Sequence, residues 1–412
     1  MIRVEALPCG ARLVTERMSD VRSVAIGIWV GTGSRDEDGS SAGISHFLEH
    51  LLFKGTPVWS ASDIAEKVDE VGGDMNAFTS KEQTSFYIRL LSEHVDLGLD
   101  VLSSIMTDPA IRAEDVEAER QVILDEILMH ADEPADVAIE QCNAGLFPGH
   151  ALGREVIGKA PDIEARQAAH IRDFFERHYV AGNMVVAVAG DVDHDQVATL
   201  VEERFGGRSG SAPVARTTPV APPESLIVNQ RSSEQTHVVI GLRVMGRTSD
   251  ERFPLAVLDQ VLGGGVSSRM FQEIRERRGL AYSVWSEHVH YEETGSLMLA
   301  AGTSPRKASE VLKLMRGELE RMAESGITDR ELGLAKSHLR AQSLLSLEDS
   351  GARMSRIGAS LMVHGKVPPV EEVLGKVERV TLEDVARIAS RLATETKTVS
   401  IVGQFEGGGP IR

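Results

Sequence analysis

The chain has 412 residues, 42% of them apolar, enough for two or three domains with sizeable cores. Its 62 acidic against 44 basic residues leave a net charge of −18, which argues against a nonspecific nucleic-acid binder and favours basic ligands where acids line a cavity. Cys9 and Cys142 are too few for a disulfide framework or a cysteine-built zinc module. No apolar run approaches the roughly 18 residues of a membrane span, and the N-terminus has neither a signal-like apolar stretch nor an Arg/Ser-rich transit character. The expectation is a soluble cytoplasmic protein with no membrane and no nucleic-acid partner.

In chain order, the first informative element is His46-Phe47-Leu48-Glu49-His50. At about 100° per residue, the second histidine of an i, i+4 pair lies roughly 40° around a helix from the first, and Glu49 roughly 60° to the other side of His46. All three polar groups share one face. Phe47, Leu48, Leu51, Leu52 and Phe53 make the segment a core helix, where uncompensated polar groups cost about a few kcal/mol each. Among 13 histidines and 62 acids in the chain, a His, acid, His pattern at these offsets arises by chance about 0.06 times. An ordinary hydrogen-bonded histidine pair is the alternative; the pattern favours a metal-chelating helix with Glu49 beside the ion.

Gly72-Gly73, then DMNAFTS, a turn at Lys81-Glu82 and TSFYIRLL predict a β-hairpin whose first strand is a sheet edge, able to accept an extended peptide by main-chain hydrogen bonds. Phe78 there reads equally as a core residue. Glu114–His130 predicts a helix on which Val116, Glu119, Ile123, Glu126 and His130 form one stripe, so two carboxylates stand where apolar residues belong. Asp125 and Glu117 fall off that stripe, on a solvated face. A catalytic zinc takes three protein ligands, His₂Glu among the known sets. Glu126 and Glu119 are the candidates, with His130 a competitor and an ordinary acidic helix, Glu119 paired to Arg120, the alternative.

Residues 206–225, rich in Gly, Pro, Ser, Thr and Ala, predict a linker between domains at 1–205 and 226–412. The halves repeat: SVAIGIWVGTGSRDE from Ser23 recurs in kind as HVVIGLRVMGRTSDE from His237, and VAVAGD from Val186 as VSIVGQ from Val399, both about 213 residues apart. Runs of strands and of helices predict an α+β fold of two similar α/β domains. PLAVLDQVLG from Pro254 is the rough counterpart of HFLEHLLF without histidines, so metal chemistry belongs to the first copy alone. Ser268–Trp285 predicts a helix stopped near Gly279 and then a strand. The Leu262–Gly265 run lacks the lysine and spacing of a phosphate loop.

The H-x-x-E-H order, HFLEHLLFKGT, GGDMNAFTSKEQTSFY and ERQVILDEI together resemble the pitrilysin or insulinase family of zinc metallopeptidases (M16), particularly its mitochondrial-processing-peptidase-like bacterial branch, over essentially the whole chain. The resemblance implies the LuxS/MPP-like metallohydrolase fold, half of a clam-shell per chain. It also implies one Zn2+ held by His46, His50 and Glu126, the family's glutamate 76 residues beyond the second histidine. Glu119, seven residues earlier, supports the site from behind the ligands. The same resemblance makes Glu49 the expected general base of zinc-dependent endopeptidase chemistry. The resemblance further implies that Asn76, Ala77 and Phe78 bind substrate on the edge strand, and that Arg275 and Tyr282, matching the family's arginine and tyrosine seven residues apart, contact it from the second domain. The Gly263–Gly265 run is a shortened form of the family's glycine-rich substrate loop. A homodimer acting on peptides, basic ones where the cavity is acidic, follows from the resemblance. Noncatalytic scaffold members of the family are the alternative; they have typically lost part of the motif that is complete here.

Overall fold

The computed structural model describes residues 1–39, 41–212 and 216–404. Its chain contacts form two units. The first is Met1–Ile127, Arg154–Thr217 and Leu344–Val367; the second is Leu128–Gly153, Thr218–Ser343 and the chain from Pro368 onward. The expected linker is irregular apart from a short turn at Gly206–Arg208, and a strand begins at Ser225. Positions 213–215 of that linker, and 405–412 of the expected second domain, lie outside the described residues.

The first unit holds β1 (Ile2–Ala6), β2 (Arg12–Arg17), β3 (Ser23–Val30), β4 (Asp74–Thr79), β5 (Thr84–Leu91) and β6 (Met184–Gly190) in the order β1-β2-β6-β3-β5-β4. Only β2 and β6 run parallel. The second unit holds β7 (Ser225–Gln230), β8 (Thr236–Met245), β9 (Ala281–His290), β10 (Thr294–Thr303) and β11 (Lys397–Gly403) in the order β7-β11-β8-β10-β9, with only β7 and β11 parallel. With β1 set aside the two topologies coincide strand for strand. The expected α+β fold of two similar halves is the one observed, and the repeated segments are β3 with β8 and β6 with β11.

Both faces of each sheet are covered, which is why β6 reads as an unbroken apolar run. In the first unit Leu13, Ile26, Ile28, Phe86 and Val186 pack with helices that include α1 (Ile44–Leu52). The opposite face carries Val14, Ala25, Trp29, Val185 and Ala187 under Met354, Ile357 and Leu361 of the Ser350–His364 helix. The second sheet has Ile240, Leu242, Leu297 and Leu299 on one face. Its other face, with Val239, Ala300 and Val402, lies under Val137, Ala138, Cys142 and Leu146 of the Pro134–Leu146 helix. Each sheet is therefore closed by a helix drawn from the other half of the sequence.

Close approach of these helices depends on glycine. A Cβ on Gly358 would stand 2.4 Å from the Trp29 ring, and one on Gly27 2.4 Å from Met354 Sδ. A Cβ on Gly241 would stand 2.5 Å from Cys142 Sγ. Among the described residues no helix is long and apolar enough to cross a membrane.

Candidate metal centre

The helix α1 starts where Gly43 takes a left-handed conformation (φ 82°) that a side chain would resist. Its first N–H groups find a partner outside the helix: Glu37 Oε2 accepts from Gly43 N–H at 2.9 Å and Oε1 from Ser45 N–H at 2.8 Å. A carboxylate at the positive end of the helix dipole is well placed. Burial nevertheless pushes the Glu37 carboxyl up to about 7, against the pull of those two N–H bonds and of Arg154. Phe47, Leu48, Leu51 and Leu52 are buried in the core. That anchors α1 and turns His46, Glu49 and His50 to the opposite face.

The Ala113–Asp132 helix brings the third group. Glu126 Oε2 lies 3.8 Å from His46 Nε2 and 3.7 Å from His50 Nε2. The two imidazoles stand 4.7 Å apart between centroids at 62°. One ligand atom from each of the three residues lies within 4.8 Å of the others. Two ligands on a tetrahedral zinc ion are about 3.4 Å apart, so Glu126 stands within a few tenths of an ångström of that spacing from each imidazole. Two imidazoles and one carboxylate are the donor set of a catalytic zinc.

Behind the trio, Glu119 is 6% exposed; its Oε2 meets His50 Nδ1 at 3.0 Å and its Oε1 meets Lys54 Nζ at 2.5 Å. A carboxylate accepts, so His50 donates through Nδ1 and turns Nε2 towards Glu126. Arg120 is not the partner of Glu119. Its guanidinium donates to the carbonyl oxygens of Ile163, Glu164 and Arg166, and pairs with Glu117. Glu117 and Asp125 are exposed. His130 stands outside the trio, with its Nδ1 3.1 Å from Asp136 Oδ2.

Glu49 is half-buried and accepts from the Thr79 hydroxyl. Burial holds its carboxyl above the usual carboxylate range, with Glu126 adding to the effect and Thr79 and His50 opposing it. Thr79 ends β4, whose hairpin closes through Ser80 N–H to Gln83 O at 2.8 Å. That strand is the edge of its sheet. Asn76 is exposed, Ala77 half-buried, and Phe78 is 40% exposed rather than a core residue. Ala77 N–H is taken by Asn76 Oδ1 at 2.8 Å.

Arg275 and Tyr282 belong to the second unit. The Arg275 guanidinium stands 4.7 Å from the centroid of the Tyr282 ring and 4.7 Å from that of Phe271. Tyr282 is 76% exposed. Arg277 and Arg278 are committed instead to Glu273, at 3.1 Å and 2.7 Å. Phe271–Arg277 is a π-type helical segment, and Gly279 beyond it is left-handed (φ 58°).

Glu37, Lys54 and Thr79 join the site without having been singled out in the sequence. Only Lys54, one turn beyond His50, carried a local signal.

Residues 12–160 match the family model described as insulinase (peptidase family M16), and residues 167–339 the model described as peptidase M16 inactive domain. A Mycobacterium tuberculosis (strain H37Rv) protein named an uncharacterized zinc protease is 43% identical over 406 residues, covering 97% of this chain and 93% of its own. A Bacillus subtilis (strain 168) protein named uncharacterized zinc protease YmxG is 35% identical over 405 residues, covering 98% of each. Among solved structures, a peptidase M16 inactive domain from Pseudomonas fluorescens has a TM-score of 0.93 at 20% identity over 100% of both chains. A protease from Helicobacter pylori has a TM-score of 0.92 at 23% identity over 98% of this chain and 99% of that one. At those identities the two structures speak to the fold alone.

Proposed function

Because the chain belongs to the insulinase family, peptidase family M16, we propose that it is a zinc-dependent endopeptidase acting on peptides or unfolded protein segments. The observation that carries this reading is the convergence of His46, His50 and Glu126 donor atoms within 4.8 Å, with Glu49 on the same helix face. Relatives named zinc proteases at 35–43% identity support the choice of metal.

Zinc supplies, when bound, Lewis acidity for the scissile carbonyl and a water acidic enough to ionise near pH 7. Glu49 takes the proton of the attacking water and delivers it to the departing amine. Its burial suits the first half of that task, because a carboxyl raised above its usual range is a stronger base. Glu119 holds His50 in one tautomer and orientation. The edge strand β4 offers main-chain groups to an extended peptide, with Asn76, Ala77 and Phe78 along it. An incoming strand that takes Ala77 N–H displaces the Asn76 side chain.

The family resemblance extends the proposal to a cytoplasmic homodimer in which each chain is half of a clam-shell with its own Arg275 and Tyr282 for substrate. The charge of −18 favours basic peptides. A scaffold without catalysis would leave the complete set of His46, Glu49, His50 and Glu126 without a use.

Zinc content and hydrolysis of a fluorogenic basic peptide test the reading. One zinc at the His46, His50 and Glu126 site, loss of cleavage on chelation, recovery on zinc addition and loss of that one zinc in Glu126→Gln are expected. A parent chain that cleaves undiminished after its metal is removed overturns it.

A further inference from the structure

The second unit repeats the framework of the first with different side chains. On the ladder, Gly27 faces Tyr87, which faces Asn76; the equivalent Gly241 faces Met298, which faces Glu287. His288 and His290 on β9 therefore occupy the places of Ala77 and Thr79 on β4. On the helices, the buried run Phe47, Leu48, Leu51, Leu52 recurs as Val257, Leu258, Val261, Leu262. Asp259 thus stands where Glu49 stands, facing the same side of its own hairpin.

What occupies this second position is a hydrogen-bonded histidine pair. Asp259, 7% exposed, accepts from Ser286 Oγ at 2.5 Å, and its Oδ2 meets His288 Nδ1 at 2.7 Å. His290 Nδ1 lies 2.8 Å from the carbonyl oxygen of Met245. Carboxylate and carbonyl oxygens only accept, so both rings carry a proton on Nδ1 and keep Nε2 as the coordinating atom. An imidazole held in this way by a carboxylate or a backbone carbonyl is the usual arrangement of a metal ligand. His290 Nε2 is buried without a hydrogen-bond partner, a costly state for a nitrogen lone pair. The rings are 5.2 Å apart at 62°, close to the 4.7 Å and 62° of His46 and His50.

We propose that His288 and His290 form a second site, for a divalent transition-metal ion bound through their Nε2 atoms, with water filling the remaining positions. Residues at i and i+2 of a strand present their side chains on one face, so both imidazoles reach one ion. Burial, together with the charges of His288, Arg252 and Arg247, holds His290 below the usual histidine range, with the Met245 carbonyl opposing. The two arginines and the lack, among the described residues, of a directly coordinating carboxylate make this the weaker of the two sites. Imidazole donors select copper, nickel and zinc over magnesium and calcium.

The test counts Zn2+ bound by the metal-free full-length chain at saturation, beside the His288→Gln/His290→Gln and His46→Gln/His50→Gln variants, and follows histidine ring NMR signals of the parent under Cu2+. The parent is expected to hold two ions and each double variant one. Beyond one equivalent of Cu2+ the ring signals of His288 and His290 are expected to broaden. An undiminished count in His288→Gln/His290→Gln, or ring signals that stay sharp at two equivalents in the parent, overturns the proposal. An undiminished count in the His46→Gln/His50→Gln variant instead overturns the catalytic metal and leaves this site standing. The NMR measurement decides the matter should the β9 variant not fold.

Discussion

Glu49 is set by opposing neighbours: burial and Glu126 raise its carboxyl, while Thr79 and His50 lower it. Thr79→Val removes a hydrogen bond to the ionised form, so the carboxyl rises further. The base must be ionised to act, so the acid limb of the kcat/KM profile is expected to move to higher pH, by roughly half to one unit for a hydrogen bond of about 1 kcal/mol. A pH-rate profile of the variant checks it, and an unmoved acid limb separates Thr79 from the base. His46, Glu49 and His50 were legible in the sequence because a single helical period places them. Glu126 stood on a readable stripe but beside Glu119 and His130, and the family spacing separated them. Thr79 and Glu37 were not legible, since their contacts with α1 cross from other elements and leave no periodic trace.

At the level of elements, the exchanged helices lie against their sheets through matching glycines. Gly27 on β3 aligns with Gly241 on β8, and Gly358 and Gly145 play the same part on the two helices; a Cβ on Gly145 would stand 2.6 Å from Thr398 Cγ2. Gly358→Ala is expected to destabilise the protein by about 1–3 kcal/mol as the helix lifts off Trp29. Gly333→Ala, on the exposed side of the Asp329–Leu345 helix with open space around it, is expected to stabilise by about 0.5–1 kcal/mol. Urea denaturation of both variants compares them, and equal effects would mean the packing at Trp29 tolerates a methyl. Glu16, 6% exposed, adds to the seating of the Ser350–His364 helix by pairing with Arg353 at 2.7 Å and Arg356 at 3.4 Å. The strands of the repeat were readable as β-branched text at a fixed offset. Which helix closes which sheet was not, because an amphipathic helix does not encode its distant partner.

For the whole molecule, the exchange bears on any division at 206–225. A chain of residues 1–205 keeps the first sheet but leaves Val14, Ala25, Trp29, Val185 and Ala187 without the helix that covers them. Such a fragment is expected to lack cooperative thermal unfolding by circular dichroism and to aggregate, whereas cooperative melting of it would show that the exchanged helix is dispensable. The −18 charge belongs to this scale as well, as a bias towards basic ligands that added salt should weaken. What the molecule is for rests on α1. The most direct measurement is Glu49→Gln compared with the parent for zinc content and peptide cleavage together. A general base contributes about 10²- to 10⁴-fold, so the variant is expected to keep its zinc while cleavage falls by that order; a zinc-loaded Glu49→Gln chain that cleaves as fast as the parent would contradict the mechanism.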